Sequence, residues 1–308
     1  MDKRCGYIAF VGQPNAGKST LTNACVGGKI VGVSRKPQTT RNKVLGIDTQ
    51  NENQFIFLDT PGIHRASQTK MNQLMNKIAW ESAADADVIC YLVDAEKGWD
   101  KKDAFYFSNL LQNAKSPILV LATKIDSKKK AVIDLGISSI RLGMQKECDQ
   151  HVDTQVPRIV PISAKRKQSV LDLKEILAPF LPKMPWLYDA DDMTDKPERF
   201  IVSELIREQV FRLLGEELPY GTGVMIDQMQ ASDTMVSIKA SIIVSRPSHK
   251  PIVIGKKAHV VKEIGTQARK NLEQHFDKKV FLELFVKVDQ NWTNSSSLLQ
   301  SYQLMDDC

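Results

Sequence analysis

The chain has 308 residues, 42% of them hydrophobic, and its 42 Lys and Arg against 36 Asp and Glu leave a net charge of +6; that suffices for one sizeable core and a smaller one, so two domains are expected. The five scattered cysteines (Cys5, Cys25, Cys90, Cys148 and Cys308) are odd in number and lack metal spacing, which argues against a disulfide framework and for reduced thiols in a cytoplasmic protein. No apolar run approaches the roughly 20 residues needed to span a bilayer, Ile8 to Val11 reads as a strand rather than a signal peptide, and no internal repeat is visible.

The first element is an apolar strand over 7–11 that runs into Gly12-Gln13-Pro14-Asn15-Ala16-Gly17-Lys18-Ser19-Thr20. A strand before and a helix after the Gly-x-x-x-x-Gly-Lys-Ser pattern define a P-loop. Its glycines let successive backbone N–H groups face the β- and γ-phosphates. Lys18 adds a point charge there, and Ser19 offers its hydroxyl to Mg²⁺. These residues point to a nucleoside triphosphate.

After helix one, Ser34 to Arg41 is polar and without periodicity. A threonine there can close on Mg²⁺ when the γ-phosphate is present; Thr40 is the candidate, with Thr39 the alternative. The next strands form a hairpin over 43–58 that ends in Asp59-Thr60-Pro61-Gly62. An Asp at a strand tip followed by glycine is the Walker-B arrangement: Asp59 holds the metal through water, and the Gly62 N–H senses the γ-phosphate.

A buried strand over 117–122 ends in Thr123-Lys124-Ile125-Asp126. Ligands of open α/β sheets bind at that edge. The Asp126 carboxylate can accept both N1–H and N2–H₂ of guanine, a donor pair adenine lacks, and each charge-assisted bond is worth about 1.5–3 kcal/mol. Lys124 can lie over the purine plane. The last strand of this set, 156–162, ends in Ser163-Ala164-Lys165, placed to offer backbone N–H to the guanine carbonyl. Strands near 7–11, 43–49, 54–58, 87–94, 117–122 and 156–162 alternate with helical patterns near 18–27, 70–84, 101–114, 130–146 and 168–180. The expected fold is an α/β, doubly wound, mostly parallel sheet over residues 1–181.

The Pro-bounded stretch 182–197, with Asp189, Asp191, Asp192 and Asp195, reads as a linker. A helix (199–214), two strands (222–230 and 235–245), helices flanking 255–258 and a strand (279–288) then suit a small α+β domain over 198–290, followed by a tail over 291–308. From Arg246 to Lys287 ten Lys or Arg face four Asp or Glu, so that segment alone carries +6.

Five nucleotide motifs in this order, with Pro14-Asn15 inside the P-loop and Gln38-Thr39-Thr40-Arg41 in the switch, resemble the Era branch of the translation-factor-related GTPases. The C-terminal third is similar to that family's K-homology (KH) RNA-binding domain. The residues that carry the likeness are Leu213 to Tyr220, Val253 to Ala258, Ile264-Gly265, Ala268-Arg269-Lys270 and Leu282 to Val288. The resemblance implies a monomeric GTPase that binds the 3′ end of 16S rRNA and assists assembly of the 30S subunit. Family members also associate peripherally with the inner membrane, toward which this sequence offers only basic surface. It further implies that the turn Gly255-Lys256-Lys257-Ala258, with Lys262, Arg269 and Lys270, meets RNA phosphates. Ile252, Ile254, Val261 and Ile264 would form the apolar groove for bases.

Four positions carry the detail. Ala258 stands where the family has a second glycine, and a positive φ there would cost roughly 1 kcal/mol. Thr123 replaces the usual Asn of the base motif; its hydroxyl can still bond locally. Ile63 stands where Ras-like enzymes place the glutamine that orients water, so unaided hydrolysis is expected to be slow, about 10⁻⁴–10⁻³ s⁻¹. In related GTPases the P-loop asparagine, here Asn15, ligates a K⁺ ion that does the work of an arginine finger; the plain alternative is a turn residue. Two other functions compete with the GTP-driven switch. One is a constitutive RNA-binding module whose G domain senses nucleotide with little turnover. The other is a tRNA- or metal-linked GTPase, disfavoured by the KH-like tail.

Overall fold

A computed structural model describes residues 3–34, 36, 39–62, 70–126, 129–151, 155–215, 218–290 and 292. Contacts divide these into two units. The first comprises the described parts of Met1–Lys29, Lys43–Ala66 and Leu74–Asp195, the second those of Ile30–Asn42, Ser67–Gln73 and Lys196–Cys308.

In the first unit, six strands form a sheet in the order β2-β3-β1-β4-β5-β6. They are β1 (Arg4–Gly12), β2 (Val44–Gln50), β3 (Asn53–Asp59), β4 (Val88–Asp94), β5 (Ile118–Thr123) and β6 (Arg158–Ile162). β2 pairs antiparallel with β3 as the expected hairpin, and every other pairing is parallel. All seven residues of β4 are buried, which is why this central strand reads as an unbroken apolar run rather than an alternating one. Helices α1 (Lys18–Val26), α2 (Lys70–Ala84), α3 (Lys101–Asn113) and α4 (Lys130–Cys148) connect the strands, and α5 (Lys167–Leu177) follows β6. α3 starts at a capping box: the Asp100 side chain accepts from the backbone N–H groups of Lys102 and Asp103, and Asp103 reciprocates.

Parallel pairing brings the strand ends to one edge. Phe10 lies opposite Asp59, Gly12 opposite Leu92, Asp94 opposite Thr123 and Thr123 opposite Ile162. The four nucleotide motifs that follow β1, β3, β5 and β6 therefore share that edge, as a doubly wound sheet requires.

The stretch 182–197, expected as a linker, is hydrogen-bonded into the first unit as far as Asp195. Cys5 N–H donates to Pro182 O (3.1 Å), Ile47 N–H to Met193 O (2.9 Å) and Leu45 N–H to the Asp195 carboxylate (3.2 Å). The buried Gln54 Oε1 accepts from Leu187 and Tyr188.

The second unit holds α6 (Glu198–Leu213), β7 (Thr222–Ala231), β8 (Met235–Val244), α7 (His249–Ile254), α8 (His259–Phe276) and β9 (Lys279–Val288). β7 and β8 are antiparallel with a bulge between Ile226 and Gln228, and β8 and β9 are parallel. α8 buries Ile264, Ala268 and Leu272, one residue per turn at i, i+4 and i+8. With Val202, Leu205 and Ile206 of α6 and Ile238, Ala240 and Ile242 of β8 they make the core.

Candidate functional site

The P-loop forms the turn that the motif predicts. Ala16 N–H donates to Gln13 O (3.3 Å), and Lys18 curls back so that its ammonium donates to Gly12 O (3.1 Å) and Gln13 O (3.0 Å). Lys18 is only 6% exposed. Burial lowers its pKa to about 8, against the opposing pull of the Asp59 charge. Asn15 sits at φ 66, a left-handed conformation that asparagine tolerates. Gln13, Ser19 and Thr20 are half-buried along the loop and the first turn of α1.

Asp59 and Thr60 are fully buried at the tip of β3. The Thr22 hydroxyl donates to Asp59 Oδ1 (3.3 Å), and the Thr60 hydroxyl to Phe10 O (2.8 Å). A Cβ on Gly62 would lie 2.9 Å from both Cα and N of Pro14. Only glycine therefore lets the segment after Pro61 lie this close to the P-loop. Ser19 and Asp59 offer a hydroxyl and a buried carboxylate on neighbouring elements, hard oxygen donors that fit Mg²⁺. Ile63 lies outside the described residues.

At the end of β5, Thr123 does what its hydroxyl permits: Oγ1 donates toward Ala16 O (2.6 Å) and Val93 O (3.2 Å), tying the base motif to the P-loop and to β4. Lys124, at φ 61, pairs with Asp94 (2.7 Å). Ile125 is half-buried against the core. Asp126 receives the Ser163 hydroxyl (2.6 Å) and the Lys165 ammonium (3.0 Å). Burial alone would raise the Asp126 pKa, but those two donors outweigh it and hold the carboxyl below its usual range. Sequence reasoning gave Ser163, Ala164 and Lys165 a backbone role; the geometry adds a side-chain one, in which Ser163 and Lys165 keep Asp126 ionised and aimed. Asp94 was missed, and its only sequence signal was its place at the tip of an apolar strand.

Thr39 and Thr40 belong to the second unit, where both are buried. Thr39 Oγ1 donates to Lys36 O (2.8 Å) and lies 2.8 Å from Ser34 Oγ. Their neighbour Arg41 is a further surprise, because a basic residue of a polar loop is 2% exposed. Its guanidinium donates to the carbonyls of Thr222 (2.7 Å), Pro219 (3.1 Å) and Tyr220 (3.2 Å). The Phe211 and Trp292 rings flank it at 5.3 and 5.8 Å. Burial foremost, then the Arg207 charge, lowers its pKa to about 9 against the pull of Glu204.

The second basic site is the turn between α7 and α8. Gly255 has φ 74, and a Cβ there would sit 2.5 Å from Val260 Cγ2. Lys257 and Ala258 follow at φ 52 and φ 60. The strain expected at Ala258 is therefore present, about 1 kcal/mol. Lys256, Lys257, Lys262, Arg269 and Lys270 are all exposed. Ile252 is 52% exposed beside them, whereas Ile264 is wholly buried. Ile264 thus supports the site from the core instead of lining a groove. Among the described residues no helix is long and apolar enough to cross a membrane, and no cluster of His, Cys, Asp and Glu could hold a metal ion.

Comparison with known proteins finds relatives for both parts of the chain. The family described as "50S ribosome-binding GTPase" matches residues 7–124, and the KH domain family matches residues 217–293. GTPase Era of Geotalea uraniireducens (strain Rf4) is 42% identical over 301 residues, covering 97% of each chain. GTPase Era of Bordetella petrii is 40% identical over 297 residues, covering 96% of each. A crystal structure of an Aquifex aeolicus Era variant bound to GDP and aluminium fluoride superposes with a TM-score of 0.87 at 35% identity, over 98% of this chain and 100% of that one. An Era crystal structure with MgGDPNP and nucleotides 1506–1542 of 16S ribosomal RNA gives 0.87 at 36% identity, over 99% and 100%.

Proposed function

This chain belongs to the GTPase Era family, and on that premise we propose that it is a GTP-driven switch that binds the 3′ end of 16S rRNA and assists assembly of the small ribosomal subunit. The observation that carries the reading is the pairing of two built sites in one chain. One is a P-loop edge with an ionised Asp126 held by Ser163 and Lys165. The other is a strained, exposed basic turn over 255–258. A relative that matches over its whole length holds MgGDPNP and a 16S rRNA fragment together.

GTP enters with its phosphates at the P-loop. The Lys18 ammonium exchanges the Gly12 and Gln13 carbonyls for phosphate oxygens, and Asp126 takes the two guanine donors. Ser19 and Asp59 would hold Mg²⁺, which when bound offsets charge on the β- and γ-phosphates. Asn15 would hold K⁺ beside the same phosphates. Water attacks the γ-phosphorus, the bond to the β-γ bridging oxygen breaks, and the proton leaves with inorganic phosphate. Thr40 is the residue expected to respond to nucleotide, and Arg41, the next residue, is fastened within the same second unit. A nucleotide-dependent change in the segment 39–41 would then reach the RNA-binding unit through Arg41. Footprinting the full chain on small-subunit particles, with GDP and with a non-hydrolysable GTP analogue, tests this. Protection at the 16S rRNA 3′ end that changes with the nucleotide is the expected result, and no protection there would refute it.

A further inference from the structure

We infer that Gln13 is a positioning residue of the P-loop, its side chain fastened to the capping carboxylate of α3 so that the loop keeps its phosphate-receiving curl. The Gly-x-x-x-x-Gly-Lys-Ser pattern demands nothing of the side chain at this position. Yet Gln13 is where the curl is set: its carbonyl accepts from both Ala16 N–H and the Lys18 ammonium. Its side chain leaves the loop, and Nε2 donates to Asp100 Oδ1 at 2.8 Å.

The anchor at the other end is stiff. The same Asp100 oxygen accepts from the N–H groups of Lys102 (2.7 Å) and Asp103 (2.9 Å), which fixes its rotamer. Asp103 accepts in turn from Asp100 N–H (3.2 Å) and from the Tyr91 hydroxyl (2.9 Å). Asp103 is 3% and Tyr91 0% exposed. Tyr91 packs against Trp99 and Phe107, at ring separations of 6.1 and 5.4 Å. A continuous set of hydrogen bonds thus runs from the mouth of the nucleotide site to the core beneath β4. Its effect is on how well the backbone N–H groups and Lys18 are aimed, so Gln13 acts through them rather than on the phosphates. This role rests on the nucleotide reading of the loop.

The test is equilibrium binding of fluorescent GDP to the full-length wild type, Gln13→Ala and Gln13→Glu between pH 5 and 8, with melting curves to confirm folding. Gln13→Ala removes one hydrogen bond and is expected to weaken GDP by about two- to tenfold. Gln13→Glu sets a second carboxylate against Asp100, so its loss at pH 8 should be larger. As pH falls and the introduced carboxyl gains a proton, it can again donate to Asp100, and its affinity relative to wild type should recover. Asp100 at the cap of α3, Asp103 from α3, Lys18 from α1 and Tyr91 from β4 are the titratable groups about that contact. Burial raises the Asp103 pKa to about 6 and the Gln13 side chain lowers it, so loss of Gln13 shifts Asp103 further upward. Gln13→Ala carries that shift without a new carboxyl, and the pH dependence of Gln13→Glu is read against Gln13→Ala as well as wild type. Wild-type binding with an unaffected Gln13→Ala and a pH-independent ratio for Gln13→Glu would overturn the positioning role alone. A wild type that binds no GDP would overturn the nucleotide reading and this role with it.

Discussion

Lys18 shows how burial prepares a charge for its ligand. With its pKa lowered from 10.5 to about 8, the folded, nucleotide-free chain holds this proton less tightly than the unfolded one. Between roughly pH 8 and 10.5 the unfolded state therefore binds more protons, and this group's contribution to stability rises with pH across that window. Phosphates reverse the preference, because they favour the ammonium. GDP binding near pH 8.5 should accordingly take up protons and weaken as pH rises further. Calorimetry in two buffers of different ionisation enthalpy reads this directly, and equal heats would contradict it. Asp126 makes a second case. Asp126→Asn keeps one acceptor but turns an N–H₂ toward the guanine amino group. Preference should move from GTP toward xanthosine triphosphate, whose C2 carbonyl accepts that bond, and competition binding measures the ratio.

Single elements explain why some of the site was legible and some was not. The P-loop and the tips of β3 and β5 declare themselves because their backbone needs are local: glycines for the curl, and an Asp just past an apolar run. Thr123 was readable as a substitute for asparagine, though not its two carbonyl partners, Ala16 and Val93. Arg41 was not legible at all. Its acceptors lie about 180 residues away, at Pro219, Tyr220 and Thr222, and nothing in a polar loop signals a buried cation. The stretch 182–197 misled for the same reason, since prolines and aspartates conceal long-range contacts to β1, β2 and Gln54. Arg41→Ala would strand three carbonyls and remove the charge near Glu204. It should destabilise the second unit by about 3 kcal/mol or more, seen as a lower denaturation midpoint. The turn over 255–258 moves the other way. Ala258→Gly relieves a left-handed alanine and should stabilise by roughly 1 kcal/mol, tightening RNA binding if the turn clamps phosphates. A destabilised Ala258→Gly would contradict the strain.

At the scale of the whole molecule, the proposed switch requires that the two sites answer to one another. The sheet edge holds the groups proposed to read the base and bind phosphate, while the exposed lysines of the α7–α8 turn belong to the other unit. Lys256→Asp with Lys257→Asp should weaken single-stranded RNA and flatten the salt dependence, since fewer counterions are released. GTP affinity should hold, because neither lysine belongs to the nucleotide-binding unit. The measurement that tests the central claim most directly is the affinity of the full-length chain for an RNA of the 16S rRNA 3′ end. It is taken at fixed salt with GDP and with a non-hydrolysable GTP analogue. A switch predicts tighter binding with the analogue, by about fivefold or more, and loss of that binding in the double Asp variant. Equal affinities in the two nucleotide states would contradict it and leave a constitutive RNA-binding protein.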